Sequence, residues 1–523
     1  MSTQNQSYSY DVVPYPRLAY VHTHPDRIAS LATLLGLAPP PPGRCRVLEL
    51  GSGSGANLLS MAHSLPGSSF VGIDLSAHQV TIGQADIQRL RLKNAKLLHL
   101  NLMDVGAELG EFDYIIAHGV YSWIPVEVRD RLLALCKRHL APNGVAYVSY
   151  NAYPGWHGLE AMRDMMQYHT RHLTDPQKRT SQARGLIDFL ASSLSREENL
   201  YGAFLNMHND FLKQELDESL SDNDAYFFHD HLEEINDPVY FHQFAEHAGS
   251  HGLQYLCDAD FRTDLPSNFP APVAEKLAFM ARDLIELEQY MDFLRNRMFR
   301  RTLLCHDDVS INRVLTGESI KSLFIAAPTL PESQTPDLAA VKVERFLARD
   351  GAKLNIDHPL SKAAMIYLGQ CWPIYLPFEQ LANEAWAFLH QGAAGPVPQR
   401  DIDVLAINLL RAYTYSENLV EMHATAPRFT IDTSGTPQAS PWARLQTEST
   451  QRVTNLRQEP IKLDSFELFV LRLLDGTHDR PALLAAMQQA LAADEVRIPD
   501  ESTLEGRLDR TLERIARSAL LVK

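Results

Sequence analysis

The stretch RVLELGSGSGANLLSMA (46–62) carries an acid, Glu49, then Gly51, Ser52, Gly53 and Gly55 in alternation, then Asn57 at the head of an apolar run with helical spacing. Glycines so placed tolerate positive φ and let the backbone approach a ligand closely. The helix after them would direct free N–H groups and its positive dipole end at the same point. Nineteen residues after Gly55 stands Asp74, followed by Leu75. An acid at that distance accepts hydrogen bonds from ribose hydroxyls. The chemistry indicated is the binding of a nucleoside.

Two features narrow the nucleoside. The glycines run GxGxG, not the GxGxxG of a dinucleotide pyrophosphate site. Glu49 sits at the mouth of the loop, and no Lys or Arg follows it through Asn57. A carboxylate there disfavours a pyrophosphate and favours a cation. S-adenosylmethionine, with its ribose, ammonium and sulfonium and no phosphate, matches this set.

Elements must exist to hold these residues. Five apolar runs, at 45–51, 70–76, 96–101, 112–120 and 144–152, alternate with helical spacing. Continuous apolar strands between helices predict a mainly parallel sheet covered on both faces, with ligands at the carboxyl ends of its strands. Asn101 and Leu102 follow the third run, and His118, Gly119, Tyr121 and Trp123 follow the fourth.

In this order VLELGSGSG, VGIDLS, LNLMD (100–104) and IIAHGVYSWIP (115–125) resemble the motifs of class I S-adenosylmethionine-dependent methyltransferases. Asn101 stands where that family often has Asp; its amide oxygen still accepts from an adenine amino group. The resemblance implies a seven-stranded Rossmann-like α/β core. It also implies cofactor contacts from Glu49, Gly51, Ser52, Gly53, Gly55, Asn57, Asp74, Leu75, Asn101, Leu102, His118 and Gly119. His118 and Tyr121 are candidates beside the reacting methyl, with no firm base named. The segments 8–37, 230–261 and 290–305 add a narrower resemblance to bacterial methyltransferases carrying a methyltransferase regulatory domain, among them rickettsial protein-lysine methyltransferases that act on an outer-membrane protein. That resemblance implies a protein (lysine) acceptor and a homodimer, and an N-terminal segment, with Tyr10, Tyr15, His22 and His24, lying over the cofactor. A small-molecule or other macromolecular acceptor, and a nonenzymatic binding scaffold, are the alternatives.

The remaining chain sets the frame. At 523 residues it exceeds one compact core. The expected division is a first part of the core at 1–162, a helical insertion and dimerisation segment at 163–223, the end of the core at 224–265, a regulatory or middle region at 266–355, and mainly helical, winged-helix-like modules at 356–523. Strands are expected near 225–234 and 253–261, closing the sheet. Residues 283–304 read as one helix with a Leu287, Met291, Leu294, Met298 stripe, its Arg295, Arg297, Arg300 and Arg301 forming a solvated, ion-paired face with Glu286, Glu288 and Asp292. A net charge of −16 argues against a nucleic-acid partner. Five scattered cysteines, no signal-peptide layout and no long apolar run indicate a cytoplasmic protein without membrane insertion. The pairs His22/His24 and His229/His231 lack further ligands at zinc spacing, so no metal is expected.

Overall fold

Apolar runs buried on both faces form the strands of a central sheet in the computed structural model of the protein, which describes residues 9–197, 199–218, 223–392, 395–498 and 503–522. The strands are β1 (Arg46–Leu50), β2 (Ser69–Asp74), β3 (Ala95–His99), β4 (Phe112–Ala117), β5 (Leu140–Asn151), β6 (Leu253–Asp258) and β7 (Phe299–His306). Their order is β3-β2-β1-β4-β5-β7-β6. β1 pairs in parallel with both β2 and β4, whereas β7 runs antiparallel between β5 and β6. The order reverses between β1 and β4, so the loops after these two strands open on one crevice.

Side chains alternate between two cores. Val47, Tyr114, Ile116 and Tyr147 face helices α1 (Pro25–Leu34) and α2 (Ala56–Ser64). Leu48, Leu50, Ile115 and Val148 face the opposite layer, including Leu132 and Leu133. Each buried leucine contributes about 1.5–3 kcal/mol relative to exposure, which holds the strand ends in register. Helix α3 (Ala77–Leu90) comes after β2 and is capped by Ser76, whose hydroxyl accepts from the Gln79 amide. Helix α4 (Val126–His139) joins β4 to β5.

Three expectations are corrected. Residues 225–234 are not a strand; they lie largely in α8 (Asn223–Leu232), the last helix of an insertion formed with α5 (Trp156–Thr170), α6 (Pro176–Ser193) and α7 (Leu200–Glu218). The aromatic pair Phe227–Phe228 mimics strand composition, but both rings pack with Met162, Met166, Ile187 and Leu205 in a core of the insertion's own. The expected boundary at 223 adjoins residues 219–222, outside the described residues. After helix α9 (Phe241–Ser250) comes β6 at 253–258. The helix expected over 283–304 ends early: α10 (Leu284–Arg295) stops at Asn296, which takes the left-handed conformation with φ 49°. Past this turn the chain enters β7, so the sheet closes at residue 306 and not within 224–265. Finally, the basic face is not solvated. Arg300 is buried and pairs with Glu288 (2.9 Å) and Asp292 (2.8 Å), while Arg297 holds Asp258 at 2.8 Å.

Beyond the sheet, helices Pro359–Cys371, Phe378–Leu389 and Gln399–Tyr415 join the core on the α1 side through Leu360, Leu381 and Leu409. A separate C-terminal core gathers Phe466, Leu471, Leu483, Met487, Leu508 and Ile515 from three helices, with Ala443 from a fourth and Val453 from the hairpin Arg452–Thr454, Pro460–Lys462. Among the described residues no helix is long and apolar enough to cross a membrane.

Candidate active site

The chain leaves β1 through Gly51, Gly53 and Gly55, all with positive φ (72°, 53° and 73°). The Gly51 and Ser52 amides donate to the Ile73 carbonyl at 2.8 and 3.0 Å, tying the loop across the end of β2. Asp74 is fixed there by two backbone donors, Gly53 N to Oδ2 (2.7 Å) and Ser76 N to Oδ1 (2.8 Å). Burial pushes its carboxyl above the usual aspartate range.

A cavity of about 880 Å³ opens beside this loop. Glu49, Gly51, Ser52, Gly53, Asn57, Asp74, His118 and Gly119 all line it. Glu49 accepts from the Asn57 amide at 2.7 Å through Oε1, while its Oε2 is buried with no hydrogen-bond partner among the described residues. Burial pushes the Glu49 carboxyl up to about 8. An orphaned buried carboxylate oxygen on a cavity wall calls for a cation. A Cβ at Gly53 or Gly119 would meet nothing within 4 Å, so both leave their backbone open to a ligand.

His118 lies under Tyr20, ring centroids 3.8 Å apart, and its Nδ1 meets the Tyr147 hydroxyl at 2.9 Å. Burial, helped by the Arg301 cation, pulls its pKa down to about 3. It is therefore a neutral imidazole near pH 7. Tyr121 is a correction: its hydroxyl meets His247 Nδ1 at 2.8 Å and its ring packs on Phe244, so it faces a core and not the cavity. Trp123, two residues on, does line the cavity, edge-on to Trp156. Gly55 begins α2 behind the wall. Leu75, Asn101 and Leu102 also lie off it; Leu75 is exposed, and the Asn101 side chain accepts from the Met103 amide at 2.9 Å. They adjoin Asp74 all the same, since Leu100 N donates to the Asp74 carbonyl at 3.0 Å.

Of the N-terminal residues, Tyr10, Tyr15 and His22 line the cavity, and His24 is buried as the cap of α1. The ring nitrogens of His229 meet Glu233 and the Val13 carbonyl. The one grouping of metal-ligand type among the described residues is Asp130, His247 and His251, off the cavity wall. Sequence reading did not select Tyr20, Asp230, Arg301 or Gln458, all of which line the cavity.

Comparison with known proteins bears on the same residues. The family described as "Methyltransferase domain" matches residues 48–146, "Predicted methyltransferase regulatory domain" matches 223–306, and "PKMT, C-terminal winged helix domain" matches 436–520. An uncharacterized protein of Rickettsia prowazekii is 34% identical over 98% of this chain and 93% of its own. The structure of PKMT2 from Rickettsia typhi, also solved in complex with AdoHcy, superposes with a TM-score of 0.85 at 29% identity, over 98% of this chain and all of that one.

The chain is a class I S-adenosylmethionine-dependent methyltransferase. It belongs to the family that joins this core to a regulatory domain and a C-terminal winged helix. The regulatory match spans α8 to β7, so in this methyltransferase the regulatory domain supplies the last two strands of the catalytic sheet. The residues present fit S-adenosylmethionine: an orphaned carboxylate oxygen for its ammonium, a fixed acid for its ribose, and an open glycine cradle between them.

Proposed function

We propose that this methyltransferase acts on lysine side chains of a protein acceptor, with Glu49 holding the cofactor's ammonium and Asp74 its ribose. The observation that carries the reading is the carboxylate and aromatic lining that the leading segment and α8 add to the cavity. There the Asp230 carboxylate stands close enough to Tyr15 and Tyr20 to raise both phenols further, after burial. Trp123, Trp156, Phe211 and Tyr226 line the same space. A carboxylate among aromatic faces selects a cationic alkylammonium. The likeness to PKMT2 agrees with this choice.

When bound, S-adenosylmethionine supplies a methyl group already activated on a sulfonium. What the chain itself does is orient the amine, exclude water and favour its neutral form, the ammonium proton passing to solvent before the amine is enclosed. A free lysine has a pKa of about 10.4 and is protonated near neutrality. Asp230 attracts that charged form. The aromatic wall and the Arg301 cation on the same cavity favour the neutral amine, the form with a lone pair to attack. His118, held neutral, adds no competing charge.

Exposed apolar side chains on the insertion, among them Tyr168, Phe189, Leu200 and Met207, support a homodimer formed through this segment. Light scattering should then give twice the chain mass of 58.8 kDa. A cytoplasmic location accords with the free cysteines. The acceptor class is tested by labelled methyl transfer into a lysate fractionated into protein, nucleic acid and small molecules. Label confined to the small-molecule fraction would sink the reading.

A further inference from the structure

The hairpin of the C-terminal domain reaches the cofactor end of the cavity. Gln458, in the turn between its strands, takes the left-handed conformation with φ 67° and is 1% exposed. Non-glycine residues adopt that conformation rarely, and mostly where surrounding contacts impose it. Its side-chain amide donates to both the backbone carbonyl and the side-chain oxygen of Asn57, each at 2.9 Å. The same Asn57 oxygen accepts from the Tyr20 amide at 2.9 Å and lies 3.1 Å from the Thr23 hydroxyl. With its oxygen committed in this way, Asn57 can turn only its NH2 toward Glu49, at 2.7 Å from Oε1. Glu49, a residue of the cavity wall, is left with a buried Oε2 that has no hydrogen-bond partner among the described residues.

We infer that Gln458 is a positioning residue of the cofactor site: acting through Asn57, it aims the Glu49 carboxylate at the cofactor's ammonium, so the winged-helix domain completes the site. The inference rests on the reading of Glu49 as the ammonium's partner.

The turn is anchored firmly enough for this role. Beside Gln458, buried Arg457 pairs with Glu421 at 2.6 Å and Glu459 at 3.0 Å. Glu421 also holds Arg27 of α1 at 2.7 Å, and His423 joins it to Asp26 at 2.6 Å. Paired charges of low exposure thus link α1, the middle region and the C-terminal hairpin. Breaking such a network leaves buried charge uncompensated, so the hairpin tip has one favoured seat.

The test is a double-mutant cycle on the full-length chain, read by calorimetric binding of S-adenosylhomocysteine. Gln458→Met keeps the length and removes the donor; it should weaken binding by about 10-fold, the scale of a lost buried hydrogen bond to a polar network. Asn57→Ala should weaken binding at least as much, and the double variant should bind no more weakly than Asn57→Ala alone, because the two residues act in series. In turnover, Gln458→Met should raise KM for S-adenosylmethionine and leave KM for the acceptor unchanged, a split that general loosening of the fold would not give. If Gln458→Met does not fold, Gln458→Asn, whose arm is one carbon short, should give the same loss. Unchanged affinity in the Gln458 variants, with Asn57→Ala impaired, would overturn the relay alone. Additive losses would also overturn it. An Asn57→Ala variant of normal affinity would likewise overturn the relay, whereas a Glu49→Gln variant of normal affinity would overturn the Glu49 reading itself.

Discussion

The cofactor end of the cavity draws Glu49, Gly51, Gly53, Asn57 and Asp74 from a single strand–loop–helix–strand unit. The proposed acceptor end draws Tyr15 from the leading segment, Trp123 from the turn after β4, Tyr226 and Asp230 from α8, and Arg301 from β7, with Tyr20 standing between the two ends. Local connectivity brings the first set together, and Gln458 of the distant hairpin then fixes how Asn57 is turned. The second exists only once the sheet has closed and the insertion has packed over it. A binding function that needs one fixed ligand is built by a short segment, and a specificity that differs among relatives is built from parts that can change separately.

That contrast makes the two ends separable by substitution. The largest effect is expected at Asp74→Ala, which removes the proposed acceptor of the ribose hydroxyls. Calorimetry should show S-adenosylhomocysteine binding weaker by about 1.5–3 kcal/mol, roughly 10- to 100-fold, with KM for the acceptor unmoved. Asp230→Asn should do the reverse. Steady-state kinetics should show kcat/KM for a lysine peptide falling about 10-fold, the scale of one charge-assisted contact, with cofactor affinity within two-fold of wild type. A change of both constants in either variant would break the comparison.

The same contrast explains what the sequence disclosed. Glycine spacing, Glu49 and Asp74 are near neighbours, so their pattern reads directly from the string. Asp230 and Arg301 carry no local signal; each is one charge in an ordinary helix or strand, and only the antiparallel entry of β7 between β5 and β6 brings Arg301 to the cavity. The strand at 299–306 was hidden for a related reason. Its apolar stripe continued that of α10 in phase, and the break depends on the left-handed turn at Asn296. Tyr121 and Trp123 sit on one tight turn and point to opposite sides, a distinction that residue type does not encode.

A smaller effect sharpens the cofactor end. Glu49 rises from the ordinary carboxylate value of 4.5 to about 8 because it is buried. Between those values the folded chain keeps a proton that the unfolded chain has released, so stability without ligand should fall as pH rises through this window. Affinity for S-adenosylhomocysteine should rise across the same window, because the ammonium pairs with the ionised carboxylate. Thermal melts with and without ligand should converge at the acidic end, and Glu49→Gln should flatten both trends. The smallest effect is expected at Tyr121→Phe. Losing its bond to His247 should cost about 0.5–1.5 kcal/mol of stability and leave both KM values unchanged. A collapse of turnover would return Tyr121 to the catalytic set.

The identity of the methylated atom tests the acceptor end most directly. A protein acceptor labelled by the wild-type enzyme from S-adenosylmethionine is hydrolysed, and its amino acids are analysed by mass spectrometry. The expected product is Nε-methyl-lysine, abundant with wild type, strongly reduced with Asp230→Asn and restored at high acceptor concentration. Label on a carboxylate, an arginine or a hydroxyl, or lysine methylation indifferent to Asp230, would contradict an acceptor site built around Asp230 and its tyrosines.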